Sequence, residues 1–161
     1  TIEHGTLMTE EIMDLMKQKG TYYVPTITAG KFVGEQAKVP GYYHPLVAPK
    51  AAAIGPQIQL TYEKAYKRGV KIAFGTDAGV YFHGNNAQEF ASLVEGGMPP
   101  MEAIKCATVV NAGILKMGDK IGTLEPGKFA HIVATNENPL QNIRAMEKVT
   151  FVMKEGVIYR Q

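Results

Sequence analysis

The sequence predicts an α/β protein built on parallel strands, followed by a small antiparallel unit. Three strand-like segments, at residues 1–4, 21–27 and 70–75, alternate with helical patterns within residues 1–118. Strands that alternate with helices in this way are typical of parallel sheets. Short strand patterns and tight turns replace the helices in residues 119–161. We therefore expect those residues to form a separate antiparallel unit.

Composition excludes several classes of partner. The 161 residues are 45% hydrophobic and 20% charged, and the formal net charge is +2. This balance is that of one ordinary globular domain, and the scattered Lys and Arg argue against nucleic acid or an anionic membrane as a partner. No apolar stretch approaches the ~18–20 residues that span a bilayer. The single Cys106 excludes an internal disulfide and a cysteine-based zinc cluster, and we expect it to be buried.

The first helical pattern has recognisable end signals. Thr9 is a predicted N-cap, Glu10 and Glu11 suit the positive end of the helix dipole, and Gly20 suits the stop. Pro25 is expected to mark the end of the second strand, because proline cannot donate a sheet hydrogen bond.

The segment 28–49 is predicted to be a long loop, since Gly and Pro recur through it, and such loops are often lids or binding loops. A helix is predicted at about 49–68, with Pro56 kinking or splitting it. Two more helices are predicted at about 86–96 and 100–116.

The antiparallel unit is predicted to contain three strands. A short strand is expected at 130–135, and a hairpin is expected at 149–154 and 157–160 around Glu155-Gly156.

Asp77 is the first candidate for chemistry. It lies in the stretch Gly75-Thr76-Asp77-Ala78-Gly79, where an apolar strand opens into a glycine-flanked loop. Side chains at the carboxyl ends of parallel strands converge on the site of α/β enzymes. A carboxylate there can bind a metal and accept a proton from the water that the metal acidifies. The alternative is that Asp77 only caps the turn that follows the strand.

His4 ends the first strand in the same way. Glu3 lies on the opposite face of that strand and Gly5 follows, so the imidazole is expected to point alone into a loop. Neutral imidazole is the commonest protein ligand of Zn²⁺, although a single His at a strand end is often structural.

Four further residues are candidates for substrate binding. His83 follows Asp77 in the same strand-to-helix loop, and Tyr22, Tyr23 and Thr26 lie at or near the end of the second strand. Alternation places Tyr22 and Thr26 on one face and Tyr23 on the other. One tyrosine is therefore expected to line the pocket and the other to pack under a helix.

Five motifs in this order resemble the amidohydrolase superfamily, in particular its imidazolonepropionase-like branch, which includes Xaa-Pro dipeptidases and related carboxypeptidases. They are Ile2-Glu3-His4-Gly5-Thr6, Lys71 to Gly79, His83-Gly84-Asn85, Glu89-Phe90 and Gly122-Thr123-Leu124-Glu125-Pro126-Gly127-Lys128.

The resemblance implies the C-terminal part of a (β/α)₈ TIM barrel together with part of a small β-sandwich. Residues 1–4, 21–27 and 70–75 then resemble barrel strands six, seven and eight. By the same resemblance His4 is a metal ligand, and Asp77 is both a metal ligand and the group that moves the proton during catalysis. The implied cofactor is one or two divalent ions, with zinc expected.

The chain departs from the family in what it lacks. It contains no His-x-His, so the other metal ligands of the family are expected upstream of Thr1. His131 stands where the family pattern has Asp, remote from the metal. Three strands cannot close a barrel, and their open edges invite pairing. We therefore expect this chain to be the C-terminal part of a longer enzyme whose upstream part is its partner.

The predicted function is hydrolysis of a C–N amide bond in a dipeptide, of the Xaa-Pro or carboxypeptidase type. One alternative keeps the hydrolase and changes the bond to a cyclic amide or an imidazolone ring. The other, from a different class, is a non-catalytic chain without a complete metal site. We expect the isolated chain to be inactive and the full enzyme to be a homo-oligomer, whereas the compartment is left open.

Overall fold

The computed structural model describes all 161 residues. Its first sheet has three short strands, β1 at Ile2–Glu3, β2 at Tyr22–Val24 and β3 at Lys71–Ile72, in the order β1-β2-β3. Both pairs are parallel, with Ile2 opposite Tyr23 and Tyr23 opposite Ile72. The predicted parallel α/β arrangement is therefore confirmed, although each strand is shorter than its sequence pattern suggested.

Helices connect and cover this sheet. They are α1 at Glu10–Lys19, α2 at Ile27–Gln36, α3 at Ala48–Lys67, α4 at Gln88–Glu95, α5 at Pro100–Lys105 and α6 at Asn111–Ile114. A π-helical stretch at Cys106–Val110 joins α5 to α6. The helix predicted at 100–116 is therefore continuous through α6 but has a π-helical middle. None of these helices combines the length and the apolar character that a membrane-spanning segment requires.

The predicted ends of α1 are confirmed. The Thr9 hydroxyl accepts a hydrogen bond from the Ile12 amide at 3.4 Å, which satisfies one of the free donors of the first turn. Gly20 adopts a left-handed φ of 69° and donates to the carbonyls of Met16 and Lys17. A residue with a side chain would be strained there, so glycine ends the helix.

The loop predicted at 28–49 is wrong over its first part, because α2 occupies Ile27–Gln36. The two glycines within α2, Gly30 and Gly34, are packing residues. A Cβ atom on Gly34 would lie 3.0 Å from the Cα atom of Gly55 in α3, closer than side chains pack. Glycine on both helices therefore lets the two backbones touch, and a local pattern cannot distinguish this use from a turn.

Pro56 does not split its helix, which was one of its two predicted effects. It lies inside α3, which continues from Ala48 to Lys67 without splitting. Proline removes one helical hydrogen bond, and burial of Ala51 before Pro56 and of Ile58 and Tyr62 after it stabilises the helix on both sides of that gap.

The core lies between the first sheet and its helices. Tyr23 of β2 packs with Met13 of α1 and Tyr62 of α3, and none of the three is more than 1% exposed. Cys106 is 5% exposed, which confirms its predicted burial. Ile143, in the 3₁₀ helix Ile143–Lys148, belongs to the same apolar cluster. The division of the chain at residue 118 stays a prediction.

The second sheet is antiparallel, as predicted. It contains β4 at Ile132–Thr135, β5 at Val149–Lys154 and β6 at Val157–Arg160, in that order. Glu155 and Gly156 connect the last two strands with φ values of 52° and 81°. Two successive positive φ angles match the twist of a tight hairpin.

Candidate active site

Three residues near the carboxyl ends of the parallel strands share an unusual backbone conformation. His4 follows β1, Thr26 lies just beyond β2, and Asp77 lies in the loop after β3, with φ values of 62°, 51° and 50°. Left-handed φ angles are unfavourable for residues with a Cβ atom and concentrate at functional sites. Only two other non-glycine residues, Lys116 and Glu155, have a positive φ. The strain therefore coincides with the predicted site.

The main chain of His4 is fixed from both sides. Its amide donates to the Val24 carbonyl at 2.9 Å, which continues the pairing between β1 and β2. Its carbonyl accepts a hydrogen bond from the Tyr23 hydroxyl at 2.7 Å. The backbone of His4 is thus held by Tyr23 and Val24, two adjacent residues of β2.

The imidazole of His4 is held by Thr26. Nδ1 of His4 lies 2.7 Å from the Thr26 hydroxyl oxygen. That hydroxyl donates its only proton to the Pro25 carbonyl, also at 2.7 Å. With that proton on the Pro25 carbonyl, Thr26 accepts from His4, and we assign the tautomer on this basis: Nδ1 carries the proton and Nε2 keeps its lone pair. This is the tautomer that a neutral histidine needs to bind a metal through Nε2.

Asp77 presents a free carboxylate at the same end of the sheet. The residue is exposed. Its turn is closed by the main chain, because the Val80 amide donates to the Asp77 carbonyl at 3.2 Å. Asp tolerates the left-handed conformation better than most residues. A purely turn-capping role would use the side chain, and this turn does not.

His4 and Asp77 fit as two donors of a divalent-cation site. An imidazole nitrogen with its lone pair and an exposed carboxylate are both common zinc ligands. The chain contains no group of three or more side chains placed to hold a metal. Catalytic zinc sites generally use three protein ligands. The two residues therefore suit part of such a site.

The two tyrosines have different places, as alternation predicted. Tyr23 has no exposed surface and supports the backbone of His4. We therefore assign it to the support of the site rather than to substrate contact. Tyr22 is half-buried, with the Lys71 ammonium 5.4 Å from the centre of its ring. His83 is exposed in the loop between β3 and α4. Substrate contacts of Tyr22, Thr26 and His83 stay predictions.

Sequence reasoning gave no role to Glu89, which is completely buried in α4. Its Oε1 accepts from the Ile27 amide at 2.8 Å, and its Oε2 accepts from the amide and the hydroxyl of Thr28 at 2.8 and 2.7 Å. Burial raises the pKa of Glu89 above its ordinary value, and the hydrogen bonds from Thr28 and Ile27 oppose this rise. The available signal was the Glu89-Phe90 motif, which the resemblance included without a role for the carboxylate.

Asn111 was also missed. Its side-chain oxygen accepts from the Phe74 amide at 3.3 Å, and its side-chain nitrogen donates to the Phe74 carbonyl at 2.8 Å. One amide group thus satisfies both polar atoms of a residue that follows β3. This fixes the start of the loop that carries Asp77.

Comparison with known proteins identifies the family. The model of the amidohydrolase family matches residues 1–159. The chain belongs to the amidohydrolase family.

Solved structures and a curated relative place the chain more closely. It superposes with a TM-score of 0.96 and 52% identity on a Xaa-Pro dipeptidase with methionine bound in the active site, covering 99% of this chain and 39% of that one. A prolidase complexed with N-methylphosphonate-L-proline gives a TM-score of 0.86 at 28% identity, covering 99% and 40%. The ochratoxinase of Aspergillus niger is 36% identical over 99% of this chain.

These matches confirm the predicted resemblance, including the likeness to Xaa-Pro dipeptidases. The chain spans about a third of the curated ochratoxinase, 34% of its length. It aligns with only part of each solved enzyme, as the C-terminal resemblance predicted.

Proposed function

We propose that this chain is the C-terminal part of a metal-dependent hydrolase that cleaves the C–N amide bond of a dipeptide. The observation that supports this most directly is the hydrogen bond between His4 Nδ1 and Thr26, which leaves Nε2 of the imidazole available. His4 and Asp77 follow strands at the same edge of the sheet. In this proposal β1, β2 and β3 are strands six, seven and eight of a (β/α)₈ barrel, and β4 to β6 are part of a composite sandwich.

The missing ligands then come from the upstream part of the same polypeptide. We call the polypeptide that contains this chain and that upstream part the full-length protein. With His4 and Asp77 alone, we expect the isolated chain to hold zinc weakly and to show no turnover, because catalytic zinc sites use about three protein ligands. A homo-oligomer remains part of the proposal.

A bound divalent ion, zinc in this proposal, supplies Lewis acidity that acidifies a water molecule and polarises the substrate carbonyl. Asp77 accepts a proton from the water as the water oxygen bonds to the carbonyl carbon. Asp77 then returns that proton to the nitrogen as the C–N bond breaks, so one carboxylate serves as base and then as acid. His4 keeps the proton on its Nδ1 throughout and donates it to the Thr26 hydroxyl, which orients the imidazole so that Nε2 is the ligand nitrogen.

The structural neighbours support a substrate derived from amino acids. One is a Xaa-Pro dipeptidase that holds methionine, and another is a prolidase that holds a proline phosphonate. The higher identity, 52%, belongs to the Xaa-Pro dipeptidase. We therefore propose a dipeptide with proline or a similar residue on its C-terminal side.

The test is a substrate panel on the full-length protein with its metal content measured in parallel. We expect Met-Pro and related dipeptides to be cleaved, metal to be present, and a chelator to abolish turnover reversibly. Hydrolysis of lactams or imidazolones with no cleavage of dipeptides would favour the cyclic-amide alternative. Absence of both metal and turnover would favour the non-catalytic alternative and contradict the proposal.

A further inference from the structure

A buried carboxylate caps α2 from outside that helix. Thr26 occupies the N-cap position, yet its side chain makes no hydrogen bond to the helix it precedes. Glu89, 62 residues after Ile27, instead accepts from the first two amides of α2. The free amides at a helix N-terminus attract an anion, and a charged acceptor binds them more strongly than a neutral one.

This arrangement leaves the Thr26 hydroxyl free for another partner. Thr at an N-cap ordinarily turns its hydroxyl toward an amide in the first turn of its own helix. The backbone of Thr26 is left-handed, with φ of 51° and ψ of 48°, Glu89 occupies the amides of Ile27 and Thr28, and the hydroxyl makes no hydrogen bond to α2. The hydroxyl therefore accepts from His4 Nδ1 at 2.7 Å.

We propose that Glu89 is a positioning residue for His4: by capping α2 in place of Thr26, it reserves the Thr26 hydroxyl for the imidazole. The inference rests on the proposed function only in taking His4 as a metal ligand. Because α4 follows the loop that carries Asp77, the same carboxylate also ties the support of His4 to that loop.

Loss of the Glu89 charge has a specific consequence. The amides of Ile27 and Thr28 would lose an ionic acceptor, and the nearest replacement in sequence is the Thr26 hydroxyl. As Thr26 turns toward its own helix, His4 Nδ1 loses its acceptor and the two neutral tautomers become mixed. A carboxylate that served only to hold α4 against α2 would leave the tautomer of His4 unchanged.

The experiment compares Glu89→Gln with Glu95→Gln in the full-length protein. Glu95 is a matched control, because it also links α4 to α2 through an ion pair with Lys31 at 2.7 Å but lies away from Thr26. The first readout is the tautomer of His4 in metal-free protein, from long-range ¹H–¹⁵N spectra of protein labelled at histidine. The second is Zn²⁺ affinity, from competition with a chromophoric chelator.

We expect wild type and Glu95→Gln to show one Nδ1-protonated form of His4, with equal zinc affinity. Glu89→Gln should show mixed tautomers and bind zinc about 10–100-fold more weakly, the usual loss when the partner of a ligating histidine is disturbed. Thr26→Val should abolish the effect of the Glu89 change, because the two substitutions interrupt one chain of contacts.

An unchanged His4 tautomer and zinc affinity in folded Glu89→Gln would overturn the proposal, as would full additivity with Thr26→Val. If Glu89→Gln does not fold, Thr28→Val removes one of the three hydrogen bonds to Glu89 and should shift both readouts in the same direction, less strongly. The tautomer is read without metal, so it still tests the role of Glu89 if the full-length protein proves not to be a hydrolase.

Discussion

The imidazole of His4 and the hydroxyl of Thr26 are joined by a 2.7 Å hydrogen bond across the ends of two neighbouring strands. The donor is the imidazole, because the hydroxyl proton is already used by the Pro25 carbonyl. One small side chain just beyond β2 thereby decides which nitrogen of the histidine that follows β1 keeps its lone pair.

The first prediction concerns this hydroxyl. In the full-length protein Thr26→Val should weaken Zn²⁺ binding by about 10–100-fold, since an isosteric methyl cannot accept from Nδ1. Thr26→Ser keeps the acceptor and should retain nearly the wild-type affinity. A chelator-competition titration measures both. Equal affinity in the Val and Ser variants would show that the hydroxyl does not control His4.

The second prediction concerns proton transfer. Asp77→Asn in the full-length protein should lower kcat by roughly 10³-fold, because the amide cannot accept the proton. Asn also tolerates the left-handed φ of 50° found at this position, so the fold should be kept. Turnover and the thermal midpoint are measured together. Substantial turnover in a folded variant would assign proton transfer to another group.

The third prediction concerns the contact between α2 and α3. A Cβ atom on Gly55 would overlap the backbone of Gly34, so Gly55→Ala should destabilise the full-length protein by about 1–3 kcal/mol. Gly113→Ala is the control, because its Cβ atom would meet nothing within 4 Å. An alanine in that helix should be neutral or stabilise by about 0.5–1 kcal/mol. Chemical unfolding measures both changes, and effects of the same sign would contradict the packing argument.

The fourth prediction concerns acid. The hydrogen bond from Lys31 lowers the pKa of Glu95 below its ordinary value of 4.5, and Arg144 at 3.1 Å acts in the same direction. A lowered folded pKa means stabilisation that is complete above the unfolded pKa and is lost as pH falls through the folded one. Glu95→Gln should therefore lower the free energy of unfolding by about 0.5 kcal/mol at pH 7.

That difference should vanish below the lowered pKa, in the range where wild-type Glu95 is itself protonated. Urea unfolding at a series of pH values measures it. Glu35→Gln is the control, because Glu35 pairs only with the exposed Lys38 of its own turn. A deficit of Glu95→Gln that persists unchanged into strong acid would contradict an ionic origin.

The sequence predicted the parts of this molecule that depend on neighbouring residues. The caps of α1 at Thr9 and Gly20 and the hairpin at Glu155-Gly156 follow from local chemistry, and the parallel sheet followed from the alternation of strand and helix patterns along the chain. The sequence also predicted that His4 and Asp77 follow strands. An apolar run that ends in a glycine-flanked polar residue can be recognised from consecutive residues alone.

The parts that were missed depend on residues far apart in the chain. Helix α2 was predicted as a loop, since the role of its glycines is set by the facing surface of α3 and its N-terminal acceptor is supplied by Glu89. The bonds from Asn111 to Phe74 have the same character. Such contacts exist only once the strands and helices are assembled.

The left-handed backbone at His4, Thr26 and Asp77 has a practical consequence for engineering. Each of these residues carries a conformational cost of roughly 1 kcal/mol or more that glycine would avoid. A library selected only for heat resistance would therefore tend to enrich glycine at the exposed His4 and Asp77, whereas the buried Thr26 side chain makes two hydrogen bonds that glycine would lose. If His4 and Asp77 hold a metal as proposed, such a campaign needs a simultaneous screen for metal retention, because clones stabilised by glycine at these positions would have lost both ligands.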